Sequence, residues 1–417
     1  MSSVEEQSPH KKARFNGLSI ETAVVTTNLP QADPYGATSV PIYQSATFSQ
    51  PSATTFGDYD YTRSGNPTRT ALQNQIALLE GVEGAQSFCF STGMAAIAAI
   101  GKLAASGDEI IVNDDSYGGT YRLMSQVCSR QGIKITYLNM AGAEGPSKLK
   151  ETISSMTRIV MIESPTNPIQ RICDIAGLSK VCHENNHAIG TLLSIDNTMM
   201  SPILSRPLEI GADLVMHSAT KYLSGHSDTM AGVVTVRDWK EKNGKSLAES
   251  VYFYQNAEGT ALAPFDCWLV LRGMKTMAIR VYRQQENAVR IANWLKHECP
   301  QVSSVLYGGL SDHQDYDIHS KQASGGGAVV CFLTGNIPLS EHVVTVTKLF
   351  KITVSFGNVN SLCSIPGRMS HASIPGEVRS AREFPEDLVR LCIGIEDPQD
   401  LIDDLKAAFS SYQDTSS

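Results

Sequence analysis

Residues 213–227 read DLVMHSATKYLSGHS, so an apolar run ends on Ser218, Thr220 and Lys221 and is followed by glycine and histidine. A lysine amine attacks carbonyls and forms Schiff bases with aldehydes, that of pyridoxal phosphate among them. The two hydroxyls just before it can hydrogen-bond a phosphate. A lysine after a buried strand can also be an ordinary surface residue, so the reading depends on what else the chain brings to the same place.

Several segments offer complementary chemistry. Residues 90–97, FSTGMAAI, leave a strand, turn on Gly93 and enter an alanine-rich helix at Met94. Amides at a helix N-terminus, with the macrodipole behind them, form an anion site; a capped strand–helix turn with no ligand has the same pattern. Asp196 closes the run TLLSID. A carboxylate at the end of a buried strand is costly unless paired, and its partner is either a protonated pyridine nitrogen or the amides of the next segment. Tyr117 stands on the glycine-rich turn DDSYGG, where an aromatic ring can stack on a cofactor or simply shape the turn. Tyr61 and Arg63, in YDYTRSGNPT, are two apart in extended chain and share one side of it. Arginine favours phosphate or carboxylate, in a ligand or in a salt bridge. Arg390 interrupts the apolar strand LVRLCIGI and needs an anion there, a substrate carboxylate or an internal acid.

The elements that must position these residues follow from periodicity. Short apolar runs at Ser87–Phe90, Glu109–Val112, Lys134–Leu138, Arg158–Ile162, Thr191–Ile195, Asp213–Met216 and Gly232–Val236 alternate with helix-period segments such as Thr120–Arg130 and Ile175–Asn185. This pattern predicts a doubly wound, mainly parallel α/β sheet, with ligands at the carboxyl ends of its strands. The candidate residues fall at those ends. A long helical stretch over Asp266–His297 follows, then strands at Ala328–Leu333, Ile352–Phe356 and Leu388–Ile393, with helices near Glu341–Phe350 and Pro398–Phe409. The predicted organisation is a tail and extended arm over 1–60, an α/β domain over 61–263, and a smaller α+β domain over 264–417.

Composition excludes several classes. The chain has 417 residues and a net charge of −8, and its basic patch, Lys11, Lys12 and Arg14, is short, which argues against nucleic-acid binding. No apolar stretch approaches the ~18 residues of a membrane span. Nine scattered cysteines without a CxxC pair point to a reducing, cytoplasmic setting. Residues 1–16 are polar, carry Glu5 and Glu6, and read as a loose tail rather than a signal segment. His183, Glu184 and His187 match the H-E-x-x-H zinc pattern. Asn185 and Asn186 are poor helix formers, so the two histidines are predicted to straddle a helix end and no metal is expected. The glycines of Ser324–Gly327 precede a strand instead of following one, the wrong context for a dinucleotide loop.

Taken together, the chain resembles the Cys/Met-metabolism family of pyridoxal-phosphate enzymes, and within it the plant-type cystathionine β-lyases. The strings that carry the resemblance are YTRSGNPTRTAL (61–72), ESPTNP (163–168), residues 196–228, residues 255–277, MSHASIP (369–375) and RLCIGIED (390–397). It implies the aminotransferase-like fold type I architecture and a homotetramer, a dimer of dimers with shared sites. It also implies β-elimination of L-cystathionine to homocysteine, pyruvate and ammonia. Carried over, Lys221 holds the cofactor as a Schiff base and acts with Tyr117, which also stacks on the ring. Ser218, Thr220, Gly93 and Met94 bind phosphate, with Tyr61 and Arg63 reaching in from a neighbouring subunit. Asp196 pairs with the ring nitrogen and Asn167 contacts the phenolic oxygen, while Ser361 and Arg390 hold the substrate carboxylate. γ-Acting relatives commonly carry glutamate before the serine matched to Ser361. Asn360 stands there in this chain, which lowers the case for a γ-lyase or γ-synthase. A non-catalytic pyridoxal-phosphate-binding regulator is the reading of a different class.

Overall fold

The structure, a computed structural model, describes residues 14–15, 17–27, 33–372, 376–382 and 384–413. Of the tail expected over residues 1–16, residues 1–13 and 16 lie outside the described residues. A two-stranded pair, β1 (Arg14–Phe15) and β2 (Leu18–Ser19), precedes a short helix, Ile20–Ala23. From residue 33 to Asn66 the chain has turns and bends but no helix or strand beyond one isolated bridge between Thr47 and Tyr61, and it turns at 61–64, where the Ser64 and Gly65 amides donate to Tyr61 O, instead of running extended through Tyr61 and Arg63. Asn66 then caps the helix Pro67–Leu79, accepting the amides of Thr68 and Arg69, with proline at the first position, where its missing N–H costs nothing.

The large sheet has seven strands: β3 (Gln86–Phe90), β4 (Glu109–Asn113), β5 (Lys134–Leu138), β6 (Thr157–Glu163), β7 (Leu192–Asp196), β8 (Leu214–Ser218) and β9 (Gly232–Val236). Their order is β3-β9-β8-β7-β6-β4-β5. Strands β5, β4, β6, β7 and β8 are mutually parallel, as the alternation predicts, whereas β9 runs antiparallel to both β8 and β3. The sheet is covered on both faces, so its central strands are buried throughout and read as continuous apolar runs. Successive residues serve opposite cores: Ile110, Val112 and Met161 pack on one face, Ile111, Val160 and Ile162 on the other.

The second sheet has the order β10-β11-β14-β13-β12, from β10 (Ser304–Leu306), β11 (Val329–Leu333), β12 (Lys351–Ile352), β13 (Leu362–Ser364) and β14 (Val389–Cys392). It is antiparallel except for the β12–β13 pair. The helix Pro398–Ser410 packs here, Phe409 lying 5.9 Å from Phe332 and 6.5 Å from Trp294 between ring centroids.

Two sequence expectations need correction. The stretch expected as one helix over Asp266–His297 is two, Pro264–Met274 and Met277–His297. The strand expected over Ile352–Phe356 stops at Ile352. Its β-branched residues favour extended chain, but from Thr353 onward the carbonyls of Val354 and Ser355 accept Arg390 Nη2 instead of a neighbouring strand. No helix among the described residues is long and apolar enough to cross a membrane.

Candidate active site

Five strand ends and one loop of the second sheet converge. At the first, Thr92 caps the helix Gly93–Gly101 by accepting the Ala95 amide. The amides of Gly93 and Met94 lie in the first turn, where no intrahelical carbonyl can reach them. Gly93 is pressed against β8: a Cβ there would sit 3.1 Å from Ser218 Oγ. That contact brings the expected anion-binding turn onto the hydroxyl that precedes the lysine.

Lys221 follows β8 in a turn closed by its amide on Ser218 O, 3.0 Å. Its amine donates to Ser355 Oγ at 2.6 Å and lies 5.2 Å from the Phe356 ring centre. Burial, aided by the positive Arg390 nearby, lowers its pKa to about 8. A substantial neutral fraction is therefore present near neutrality, as a nucleophile or base requires. Residues 354–357 are held over the lysine from two sides. Arg390 donates to the Val354 and Ser355 carbonyls at 3.1 and 3.2 Å. Gly357 has φ +77°, and a Cβ there would fall 2.7 Å from Tyr222 N and 2.9 Å from Lys221 C, so only glycine lets the loop lie on the lysine's backbone.

Arg390 lies fully inside β14, yet every hydrogen-bond partner it has among the described residues is neutral. Nη1 donates to Asn167 Oδ1 at 2.9 Å and Nη2 to the two carbonyls. No acid stands within ion-pair distance among the described residues. Of the two anions left open by the sequence, no internal acid pairs with Arg390 among the described residues, and a buried guanidinium so placed is suited to an incoming carboxylate. Asn167 is fixed from behind, its backbone carbonyl accepting His371 Nε2 at 3.1 Å. Burial and the nearby Arg390 charge push the His371 pKa down to about 4, so it donates as a neutral imidazole. With Oδ1 committed to Arg390, Asn167 Nδ2 is the end able to donate to a ligand oxygen.

Asp196 Oδ1 accepts the Thr198 amide at 3.0 Å and the Thr198 hydroxyl. The same hydroxyl accepts the Ser218 amide at 2.8 Å, tying the acid to the lysine strand. Burial raises the Asp196 pKa. Tyr117 precedes the helix Gly118–Leu123, its amide donating to Glu163 Oε2 at 2.9 Å. Its ring and Met94 Sδ flank Gly119, within 2.4 and 2.8 Å of where a Cβ would stand, and its hydroxyl lies within electrostatic reach of Arg390.

Three sequence assignments fare differently. Ser361 is completely buried and committed elsewhere: its hydroxyl donates to Glu396 Oε2 and accepts the Gly394 amide, both at 2.9 Å, and its own amide donates to Glu396 Oε1. The serine presented to Lys221 is Ser355. The residue preceding it is Val354, 55% exposed, so Asn360 is not the neighbour of the site serine. Thr220 Oγ1 accepts the Ala231 amide at 2.9 Å and donates weakly to Ala231 O at 3.3 Å, so a phosphate would have to compete for its proton. Tyr61 and Arg63 pack on each other, 5.0 Å from guanidinium to ring centre, and Arg63 Nε reaches Asn256 Oδ1 at 3.3 Å. Within one chain Arg63 lines a surface depression with Glu249, Tyr252 and Phe253, not the Lys221 site.

The histidines of the H-E-x-x-H pattern do straddle a helix end. His183 lies in the last turn of the helix Ile175–Glu184 and pairs with Asp213 at 3.0 Å, while His187 lies beyond it and pairs with Asp108 at 3.3 Å. Ser355, Phe356, His371 and Glu163 were given no role from the sequence. One signal pointed to the first two: Ser355 and Phe356 directly precede a glycine, Gly357, whose left-handed φ marks a loop in close contact.

Comparison with known proteins bears on this geometry. Residues 21–410 match the family described as Cys/Met metabolism PLP-dependent enzyme. The chain is 52% identical over 380 residues to a chloroplastic cystathionine β-lyase of Arabidopsis thaliana, covering 91% of this chain and 78% of that one. It is 46% identical over 401 residues to a cystathionine β-lyase of Neurospora crassa, covering 96% and 83%. Among solved structures, a cystathionine γ-synthase from Xanthomonas oryzae pv. oryzae in complex with cystathionine superposes with a TM-score of 0.86 at 35% identity, covering 94% of this chain and 97% of that one.

Proposed function

Because this chain belongs to the Cys/Met metabolism family of pyridoxal-phosphate-dependent enzymes, we propose that the convergent site is that of a carbon–sulfur lyase, a cystathionine β-lyase. It cleaves the Cβ–S bond of L-cystathionine in methionine biosynthesis, yielding homocysteine, pyruvate and ammonia. The observation that carries the reading is the pairing of a buried, depressed-pKa Lys221 amine with a buried Arg390 that has no acid in ion-pair range among the described residues.

The residues present fit the cofactor. A lysine amine, a carboxylate at a strand end, and the Gly93 and Met94 amides beside Ser218 Oγ form a cradle for an aldehyde, a pyridinium nitrogen and a phosphate, respectively. In this assignment Ser218, Thr220, Gly93 and Met94 hold phosphate, Asp196 stays ionised against the ring nitrogen, Asn167 Nδ2 meets the phenolic oxygen and Tyr117 covers the ring. When bound, the cofactor withdraws electrons from the substrate's α-carbon.

The chain's own residues do the rest. Arg390 takes the α-carboxylate, aided by Ser355 in place of Ser361. Lys221 Nζ, neutral in a substantial fraction, removes the Cα proton as general base. The Cβ–S electron pair leaves with sulfur, which takes its proton from Lys221 Nζ, assisted by the Tyr117 hydroxyl. Phe356, packed against both cations, keeps water from that face. The released enamine hydrolyses to pyruvate and ammonia.

β-Elimination is favoured over γ because Val354, beside the site serine, offers no carboxylate to the distal ammonium of a substrate entering in the γ orientation. Tyr61 and Arg63 are proposed to complete the phosphate site of a second copy within a homotetramer, supported by the exposed Tyr61 and by the exposed Phe253, which lines one depression with Arg63. All nine cysteines are free and buried, in keeping with a reducing, cytoplasmic location. The test is product analysis from L-cystathionine. Pyruvate with homocysteine is expected; predominant 2-oxobutyrate with cysteine overturns the β assignment in favour of γ-lysis.

A further inference from the structure

Glu163 is one of the most deeply placed carboxyl groups near the site and has no part in the chemistry above. It ends β6 directly beside Asp196, which ends β7, the two being register partners on adjacent parallel strands. Parallel strands lie about 4.8 Å apart, and side-by-side residues point to the same face. Here that is the face of Met161 and Met216, on which the helix after Gly93 packs. Two carboxylates so placed, Glu163 buried and Asp196 half-buried, cannot both ionise cheaply.

Their hydrogen bonds say which keeps the charge. Asp196 Oδ1 receives two donors, the amide and hydroxyl of Thr198. Glu163 receives one, the Tyr117 amide at 2.9 Å, and no cation lies within ion-pair distance of it among the described residues. We infer that Glu163 is a positioning residue that acts as a neutral acid: it fixes the backbone of Tyr117 and leaves the negative charge of this strand-end pair on Asp196.

The groups facing Glu163 agree. Asp196 faces it from β7 and Asp115 from the loop after β4, both raising its pKa; the Tyr117 amide bonded to it and, more weakly, Arg390 from β14 act in the opposite direction without reversing the shift. Burial is the largest cause, and the net shift is well upward. Asp115 is itself pushed up to about 6, chiefly by burial, so it adds little negative charge below that pH. A tyrosine whose main chain is pinned to the strand next to Asp196 keeps its ring in register with the acid below. A second negative charge in the same place would compete with Asp196 for the ring nitrogen's proton.

The inference rests on the Lys221 site reading, and the experiment separates the two. Glu163→Ala and Glu163→Gln are compared with wild type for three properties: affinity of the apo-protein for pyridoxal phosphate, pH dependence of the bound cofactor's visible absorbance, and kcat against KM. Glutamine keeps the acceptor for Tyr117 N–H and is neutral at every pH. The expected result is that alanine weakens cofactor affinity about tenfold, the scale of one hydrogen bond. Alanine also lowers kcat more than it raises KM, and glutamine rescues all three properties to within about threefold. Glutamine as damaging as alanine, or a shifted absorbance pH profile in Glu163→Gln, overturns the neutral-acid role. Alanine indistinguishable from wild type overturns the positioning role. Should alanine fail to fold, glutamine alone decides, since any loss of affinity or change of profile then refutes the inference. A Lys221→Ala control that still shows the covalent cofactor spectrum would locate the failure in the site reading instead.

Discussion

Ser355 and Ser361 are six residues apart, and either could serve the substrate carboxylate on sequence grounds; paired substitutions separate them. Ser355→Ala removes one hydrogen bond, 2.6 Å long, from the Lys221 amine in a half-buried position and strands no other group. A bond to a charged or chargeable partner contributes about 1.5–3 kcal/mol, or roughly 10- to 150-fold in kcat/KM if it is used in the transition state. Thermal stability should hardly change. Ser361→Ala removes the donor to Glu396 Oε2 and the acceptor of the Gly394 amide, both at 2.9 Å and both buried. Two lost bonds at about 1 kcal/mol each, plus an unsatisfied buried amide, total about 2–4 kcal/mol. With an unfolding entropy near 2.1 cal/mol/K per residue, that lowers Tm by about 2–5 °C in a chain of this size. Activity at 25 °C should stay near wild type. The assay is steady-state lyase kinetics alongside thermal melts of both variants. A silent Ser355→Ala, with a Ser361→Ala that loses activity at unchanged Tm, would refute the placement of Ser355 against the lysine.

In the apo-protein, a Lys221 pKa of about 8 leaves about a quarter of the amine neutral at pH 7.5, against about one part in a thousand for an ordinary lysine. The rate of aldehyde trapping at Lys221 should rise with pH to a plateau with a midpoint near 8; a midpoint above ~9.5 contradicts the burial argument. The folded pKa lies below the unfolded 10.5, so burial of the ammonium costs stability in full below pH 8, and that cost is relieved as pH rises from 8 to 10.5. Replacing Arg390 with leucine should lower kcat/KM about 10- to 150-fold for an amino-acid substrate through loss of a charge-assisted bond. It should hardly affect the corresponding carboxamide, and equal losses on both would remove Arg390 from carboxylate binding. Mixing Arg63→Ala chains with Lys221→Ala chains should restore part of the activity that each lacks, because a hybrid dimer contains one intact site; hybrids shown to form without rescue would exclude a shared site.

Local sequence was sufficient for the elements that carry their own signal. Strand β9 and the helix Ile175–Glu184 fall where the apolar run and capping place them, because a strand buried on both faces must be apolar along its length and Asp174 marks the helix start by accepting the Gly177 amide. The run into Ser218, Thr220 and Lys221, the turn at Gly93 and the acid Asp196 were legible for the same reason, since strand ends in such sheets are where ligands bind. What the sequence could not decide was set by contacts between distant segments. Ile352–Phe356 has strand propensity throughout, yet it leaves the sheet at Thr353 because Arg390, far along the chain, takes two of its carbonyls. That single departure turns Ser355, not Ser361, toward Lys221. Likewise, the uncompensated charge of Arg390 and the pairing of Glu163 with Asp196 depend on which groups are absent from, or adjacent in, three dimensions. A one-dimensional pattern carries the type of each side chain, but the partners that fix its charge and direction come from strand register and loop packing.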